Sequence, residues 1–151
     1  MVRAAAAIAL AAIFATGAIA KPSSAVREFR HFNLFGIWAS NCREAPSLDN
    51  PRVTVGSGGQ GMVLEVDEFG PDYEVNRYVI VAAKRMSGRR IAVDALFQQG
   101  DAEPQPQLII MRIENRTRRT MFTGGADEPP RVKDGIAVAI GKPTPLLTKC
   151  E

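Results

Sequence analysis

The chain has 151 residues, 46% of them apolar and 23% charged, with 19 Lys and Arg against 16 Asp and Glu, one His, and a formal net charge of +3. That length holds one domain, and its ordinary apolar content excludes a disordered or collagen-like chain. A single imidazole excludes catalytic machinery built on several histidines, and so even a charge balance argues against a nucleic-acid partner.

Residues 1–20 carry the pattern of a secretory signal peptide. Arg3 supplies the positive start, Ala4 to Ala15 the apolar core, and Ala18-Ile19-Ala20 the small-x-small cleavage site, so cleavage is expected after Ala20. Thr16 and Gly17 interrupt the apolar run before it reaches the roughly 20 residues that span a bilayer. Cleavage removes one arginine and no acid, so the charge falls from +3 to +2. No later segment is apolar for long enough to span as a helix, and the expected location is the periplasm or the exterior.

Residues 21–34 form a lead-in. Lys21-Pro22-Ser23-Ser24 is a loop signal, and Val26, Phe29, Phe32 and Phe35 recur at every third position. This spacing predicts a short helix, capped by Ser24, that lays its phenyl groups on the main domain.

From Gly36 the period becomes two, and residues 35–151 are expected to form a single domain. A short strand is expected around Gly36 to Asn41 and a weaker one at Arg52 to Val55. Gly61 to Gly70 alternates Met62, Leu64 and Val66 with Val63, Glu65 and Asp67. Asp72 to Met86 is a long β-rich run, Ser87-Gly88 stands where a two-residue hairpin turn belongs, and Arg89 to Gln98 returns. Gly100 to Pro106 is a loop by composition. Gln107 to Asn115, Arg116 to Thr123, and Arg131 to Ile140, bent at Asp134-Gly135, complete about eight strands.

No segment after residue 20 has a sustained amphipathic helical pattern, so an α/β fold with crossover helices is excluded. Cys42 and Cys150 are the only cysteines, and an even count in an oxidising compartment makes one disulfide the default. Such a bond would bring the first strand and the chain end within about 7 Å, Cα to Cα. In an antiparallel up-and-down β-barrel those segments are neighbours by construction. A β-sandwich satisfies the same bond and stays open as an alternative; short connections favour the barrel.

Phe35-Gly36-Ile37-Trp38 resembles the G-x-W start of the lipocalin and wider calycin barrels. The resemblance implies that Gly36 bends the entering chain and that Trp38 plugs the closed end of an eight-stranded barrel. It also implies a basic side chain stacked on that indole, for which Arg131, Lys133 and Lys142 are candidates. The wider pattern G-x-W-x-x-x-C at Gly36 to Cys42, with T-P-x-L-x-x-C at Thr144 to Cys150, is similar to small uncharacterised secreted proteins of alphaproteobacteria. That likeness implies a compartment and a fold, and no activity.

Chemistry-bearing constellations are scarce. His31 lies among phenylalanines with no nucleophile or acid beside it. Glu65 and Asp67 share one face of a strand, opposite the apolar Met62, Leu64 and Val66, and are therefore expected to face water. Gly56 to Gly61 lacks the following Lys-Ser/Thr and helix of a phosphate loop and is expected to be a hairpin turn. Asp101, Glu103, Asp127 and Glu128 lack the ligand density of a calcium site, and one His with two distant Cys makes no zinc site. No catalytic residue, metal or cofactor is expected.

Arg112, Arg116, Arg118 and Arg119 surround Glu114 over two successive strands. On a barrel exterior they would form a basic patch for an acidic partner, or simply guard a sheet edge. Two functions follow. One is a non-enzymatic binding module whose inward Met62, Leu64, Val66, Ile91, Val93 and Phe97 line a pocket for a small apolar or amphipathic ligand. The other is a structural, interaction or inhibitor protein of the cell envelope acting through the arginine surface.

Overall fold

The computed structural model describes residues 23–150, so the signal-peptide reading lies outside the described residues. Helix α1 (Ser24–His31) precedes β1 (Gly36–Ala39), β2 (Arg52–Gly59), β3 (Met62–Glu68), β4 (Asn76–Met86), β5 (Arg90–Gln99), β6 (Gln105–Glu114) and β7 (Thr117–Gly124). Three two-residue strands, β8 (Val132–Lys133), β9 (Ile136–Ala137) and β10 (Lys142–Pro143), lead to β11 (Leu147–Lys149). Each strand from β1 to β7 pairs antiparallel with the next, and β11 lies between β7 and β1. The result is a closed eight-stranded antiparallel barrel with no sandwich split, an architecture that leaves no free sheet edge in the wall.

The turns follow from the residues at them. The expected hairpin turn over Gly56 to Gly61 narrows to its end: β2 runs on to Gly59, past the expected Val55, and Gly59, Gln60 and Gly61 take the positive φ that reverses the chain into β3. The β4–β5 connection differs from expectation. Met86 pairs with Arg90, so the loop is Ser87-Gly88-Arg89, three residues long, with positive φ at both Gly88 and Arg89.

The expected bent strand from Arg131 to Ile140 is instead the β8–β9 hairpin. Lys133 pairs with Ile136, and Asp134 and Gly135 both have positive φ, the I′ pattern that Asp-Gly favours. The eighth wall strand is therefore β11. It shares β7 with β8, because Leu147 and Thr148 pair with Arg118 and Thr117 while Val132 pairs with Thr123 at the other end.

Helix α1 plugs one end of the barrel. Its N-cap is Ser23, not Ser24: the Ser23 hydroxyl oxygen accepts from the Val26 N–H at 3.3 Å and donates to the Gly61 carbonyl. Ser24 instead accepts from the Ala83 N–H at 3.2 Å, next to a β4 bulge between Ile80 and Ala82. Ala25 and Phe29 are fully buried, and with Leu34 and Trp38 they pack against Val55, Val63, Ile80, Ile91 and Ile113. Buried Glu28 receives Arg27 at 3.1 Å and Arg85 at 3.0 Å. Burial alone would raise its pKa, but the hydrogen bonds and charges of those two guanidiniums hold it below the usual value.

Cys42 and Cys150 form a disulfide across 108 residues of chain, with Cα atoms 5.6 Å apart. It ties the segment after β1 to the end of β11, whose Lys149 is the register partner of Trp38. Replacing both cysteines with serine is expected to lower the unfolding free energy by about 3–5 kcal/mol in urea titrations, the range for a loop of this length.

Candidate functional site in the barrel mouth

Inward side chains change character along the barrel. At the plug end β3 to β6 present Val63, Ile80, Ile91 and Ile113. Away from it, β3 passes from Val63 to Glu65 and Asp67, β4 from Ile80 to Tyr78 and Asn76, and β6 from Ile109 to Gln107. Register pairs Val63 with Ile80, Glu65 with Tyr78, and Asp67 with Asn76, so the changes on β3 and β4 fall side by side.

This order inverts two expectations. Glu65 is buried and Asp67 shares its inward face, whereas Met62, Leu64 and Val66 lie half-buried on the opposite, outer face and do not line the interior. Arg118 is also inside, 4% exposed, rather than on the outer patch. Its Nη1 donates to Glu65 Oε2 at 2.8 Å and its Nη2 to Glu65 Oε1 at 2.9 Å, a bidentate pair that lets both charges leave water. Charge pairing across the barrel thus overrides the tendency of an amphipathic strand to turn its most apolar side inward.

The same arginine completes the closed end. Its guanidinium carbon lies 5.4 Å from the Trp38 ring centroid, and Lys149 Nζ lies 5.7 Å from it. Trp38 is 1% exposed, and its indole N–H donates to the Leu34 carbonyl at 2.8 Å. Lys149 in turn donates to the Asn33 carbonyl and side-chain oxygens, both at 2.8 Å. The basic partners of the tryptophan are therefore Arg118 and Lys149, and not Arg131, Lys133 or Lys142. Arg131 sits over Phe97 instead, 5.2 Å from its centroid.

Beyond the Glu65–Arg118 pair the barrel opens into a cavity of about 270 Å³. Glu65, Asp67, Tyr78, Arg118, Thr120 and Thr123 supply its polar wall, and Leu48, Phe69, Val132 and Leu147 its apolar parts. Burial, reinforced by the charge of Glu65, raises the Asp67 pKa well above the usual carboxylate range against a smaller opposing effect of Arg118. Burial and the two acids likewise push the Tyr78 phenol up. For Arg118, burial works against the charged form, and the Glu65 carboxylate more than offsets it, so the guanidinium stays charged.

Of the residues expected to line a pocket, Ile91 and Val93 are buried in the packed apolar half, away from the cavity. Phe97 lies near the mouth, its ring 5.0 Å from that of Tyr78. Of the expected arginine surface, Arg118 is withdrawn into the barrel, while Arg112 and Arg119 remain neighbours across β6 and β7. Arg112 pairs with Glu114, Arg119 donates to the Thr144 carbonyl at 2.9 Å, and Arg116 reaches the Lys149 carbonyl at 3.5 Å. His31 is exposed beside the plug, edge-on to Phe32. Among the described residues, no group of three or more His, Cys, Asp or Glu is placed to hold a metal ion.

Set against the models of known protein families, curated proteins and solved structures, the chain matches none. The meaning of the site therefore rests on its geometry.

Two outcomes are expected. Arg118→Met or Glu65→Leu alone strands the other charge inside the barrel and costs about 3–5 kcal/mol in chemical denaturation, while the double variant recovers most of that loss. Asp67 has the opposite sign from an ordinary ion-paired acid. Its folded pKa lies above the unfolded one, so its contribution is full at low pH and is lost as pH rises through the folded value. Asp67→Asn is therefore expected to raise stability on the alkaline side of that transition and to change little in acid, read by urea titrations across pH.

Proposed function

We propose that this chain is an exported, non-enzymatic β-barrel that binds one small amphipathic ligand in the mouth opposite the helical plug. The observation that carries this reading is the cavity of about 270 Å³, with a desolvated polar wall and apolar parts beside it. The ligand's polar end meets Asp67 and Tyr78, and its apolar part lies against Leu48, Phe69 and Leu147. A purely apolar ligand suits the site less well, since it would leave the buried Asp67 oxygen without a partner.

Export is supported by the disulfide, which persists in oxidising compartments, together with the signal-peptide pattern of residues 1–20. Among the described residues no helix is long and apolar enough to cross a membrane. Kinship with the lipocalin and calycin barrels, and with the similar alphaproteobacterial secreted proteins, is supported by a G-x-W segment at the plugged end of a closed eight-stranded wall. The non-enzymatic reading is supported by Glu65 being held by Arg118 and by His31 lying outside the mouth.

A second reading, an envelope interaction protein, is supported by a surface other than the arginines. Val138 and Ile140, in the loop between β9 and β10, and Leu146, just after β10, are more than half exposed, with Lys133 and Lys142 close by in the chain.

Titration of ¹⁵N-labelled, disulfide-bonded protein with hexanol, hexanoate and hexylamine separates the two. Ligand binding is expected to shift the amides of Asp67, Tyr78, Thr123 and Leu147 with at least one of the three. If all three leave those signals unmoved, the mouth is not a ligand site.

A further inference from the structure

We propose that the polar end of the ligand is a primary ammonium group, received by Asp67 on the wall of the mouth; this rests on the mouth being the ligand site. Three observations carry it.

The first is the sign of the unmet hydrogen bonding. Among the described residues, the buried side-chain polar atoms without a partner are Asp67 Oδ1, Asn76 Oδ1 and Gln107 Oε1. Of these, Asp67 lines the cavity, and once ionised its carboxylate only accepts, so it calls for a donor there. Asn76 is the register partner of Asp67 on β4. An ammonium has three donors and no acceptor, an alcohol has one donor, and a carboxylate has none.

The second is charge. Glu65 and Arg118 neutralise each other as a bidentate pair, which leaves Asp67 as the acid of the cavity wall without a cationic hydrogen-bond partner. Arg131, over Phe97, is engaged by Glu128 at 3.3 Å. A buried carboxylate costs several kcal/mol unless a cation meets it, and a bound ammonium does so.

The third is shape. Leu48, Phe69 and Leu147 beside the acid offer an apolar surface to a short alkyl or aryl chain attached to the ammonium.

The proton balance is simple. Burial holds the unliganded Asp67 carboxyl in its neutral form to higher pH than usual. When R–NH₃⁺ enters, that carboxyl gives its proton to solvent, and the ammonium N–H groups donate to the carboxylate formed.

Calorimetric titration of the disulfide-bonded protein with hexylamine, hexanol, hexanoate and hexyltrimethylammonium tests this near neutral pH. Hexylamine is expected to bind about tenfold more tightly than each of the others, because a charge-assisted hydrogen bond is roughly twice as strong as a neutral one and the trimethylated cation has no N–H to give. Asp67→Asn is expected to bring the ratio of hexylamine to hexanol affinity within about threefold, and proton release, read from buffers of different ionisation enthalpy, is expected to disappear with it. Hexanol or hexanoate binding as tightly as hexylamine would overturn the ammonium assignment while leaving the mouth as a ligand site. An unchanged preference in Asp67→Asn would overturn it as well. Failure of all four probes to bind removes both the assignment and the site.

Discussion

An arginine and a glutamate facing each other inside a narrow cylinder constrain everything around them. Neither Arg118 nor Glu65 can give up water alone, so β3 and β7 must present them at the same depth and on the same side of the wall. That requirement turns β3 so that Val63, Glu65 and Asp67 point inward and Leu64 and Val66 outward. It also places the guanidinium over Trp38, where the indole face receives a desolvated cation, an interaction worth up to about 2 kcal/mol in such surroundings. The pair is thus both a lid on the packed half and the floor of the open half.

The division of the interior into two halves explains how so small a barrel combines stability with a cavity. An eight-stranded barrel has room for its own side chains or for one small ligand. Here the plug end is filled by Phe29, Leu34, Trp38 and the apolar residues of β2 to β6, and the space is kept for the other end. Groups left without partners by the fold are confined to that end, as Asp67, Asn76 and Gln107 show. Local strain of this kind is tolerable because the packed half carries the hydrophobic stabilisation.

Much of the wall was legible in the residues. Period-two patterning marked β3 to β7, the Gly and Asp positions marked most turns, and two cysteines at the ends of the expected barrel argued for closure. The eighth strand was misplaced because Arg131 to Ile140 has strand composition, while Asp134-Gly135 favours reversing the chain over bending it. The site was not legible for a different reason. On β3 both faces carry valine, so alternation alone cannot choose between them, and the deciding partner lies 53 residues away. Arg118 stands among three other arginines, with nothing local to single it out. The one available hint was that Glu65 and Asp67 share a face with Val63, a pattern that asks for a buried cation somewhere in the chain.

The position of β11 governs how the cylinder can assemble. It is the final strand in chain order, three residues long, yet it stands in the middle of the wall between β1 and β7. Until it arrives, the growing polypeptide is an open ribbon of hairpins whose first and seventh members have bare flanks, a state exposed to edge-to-edge association. Closure joins segments more than a hundred positions apart and sets a slow, late step after the rapid local pairings. Oxidation of the adjoining thiols then makes that seam permanent, so the completed barrel does not reopen by the route along which it was made.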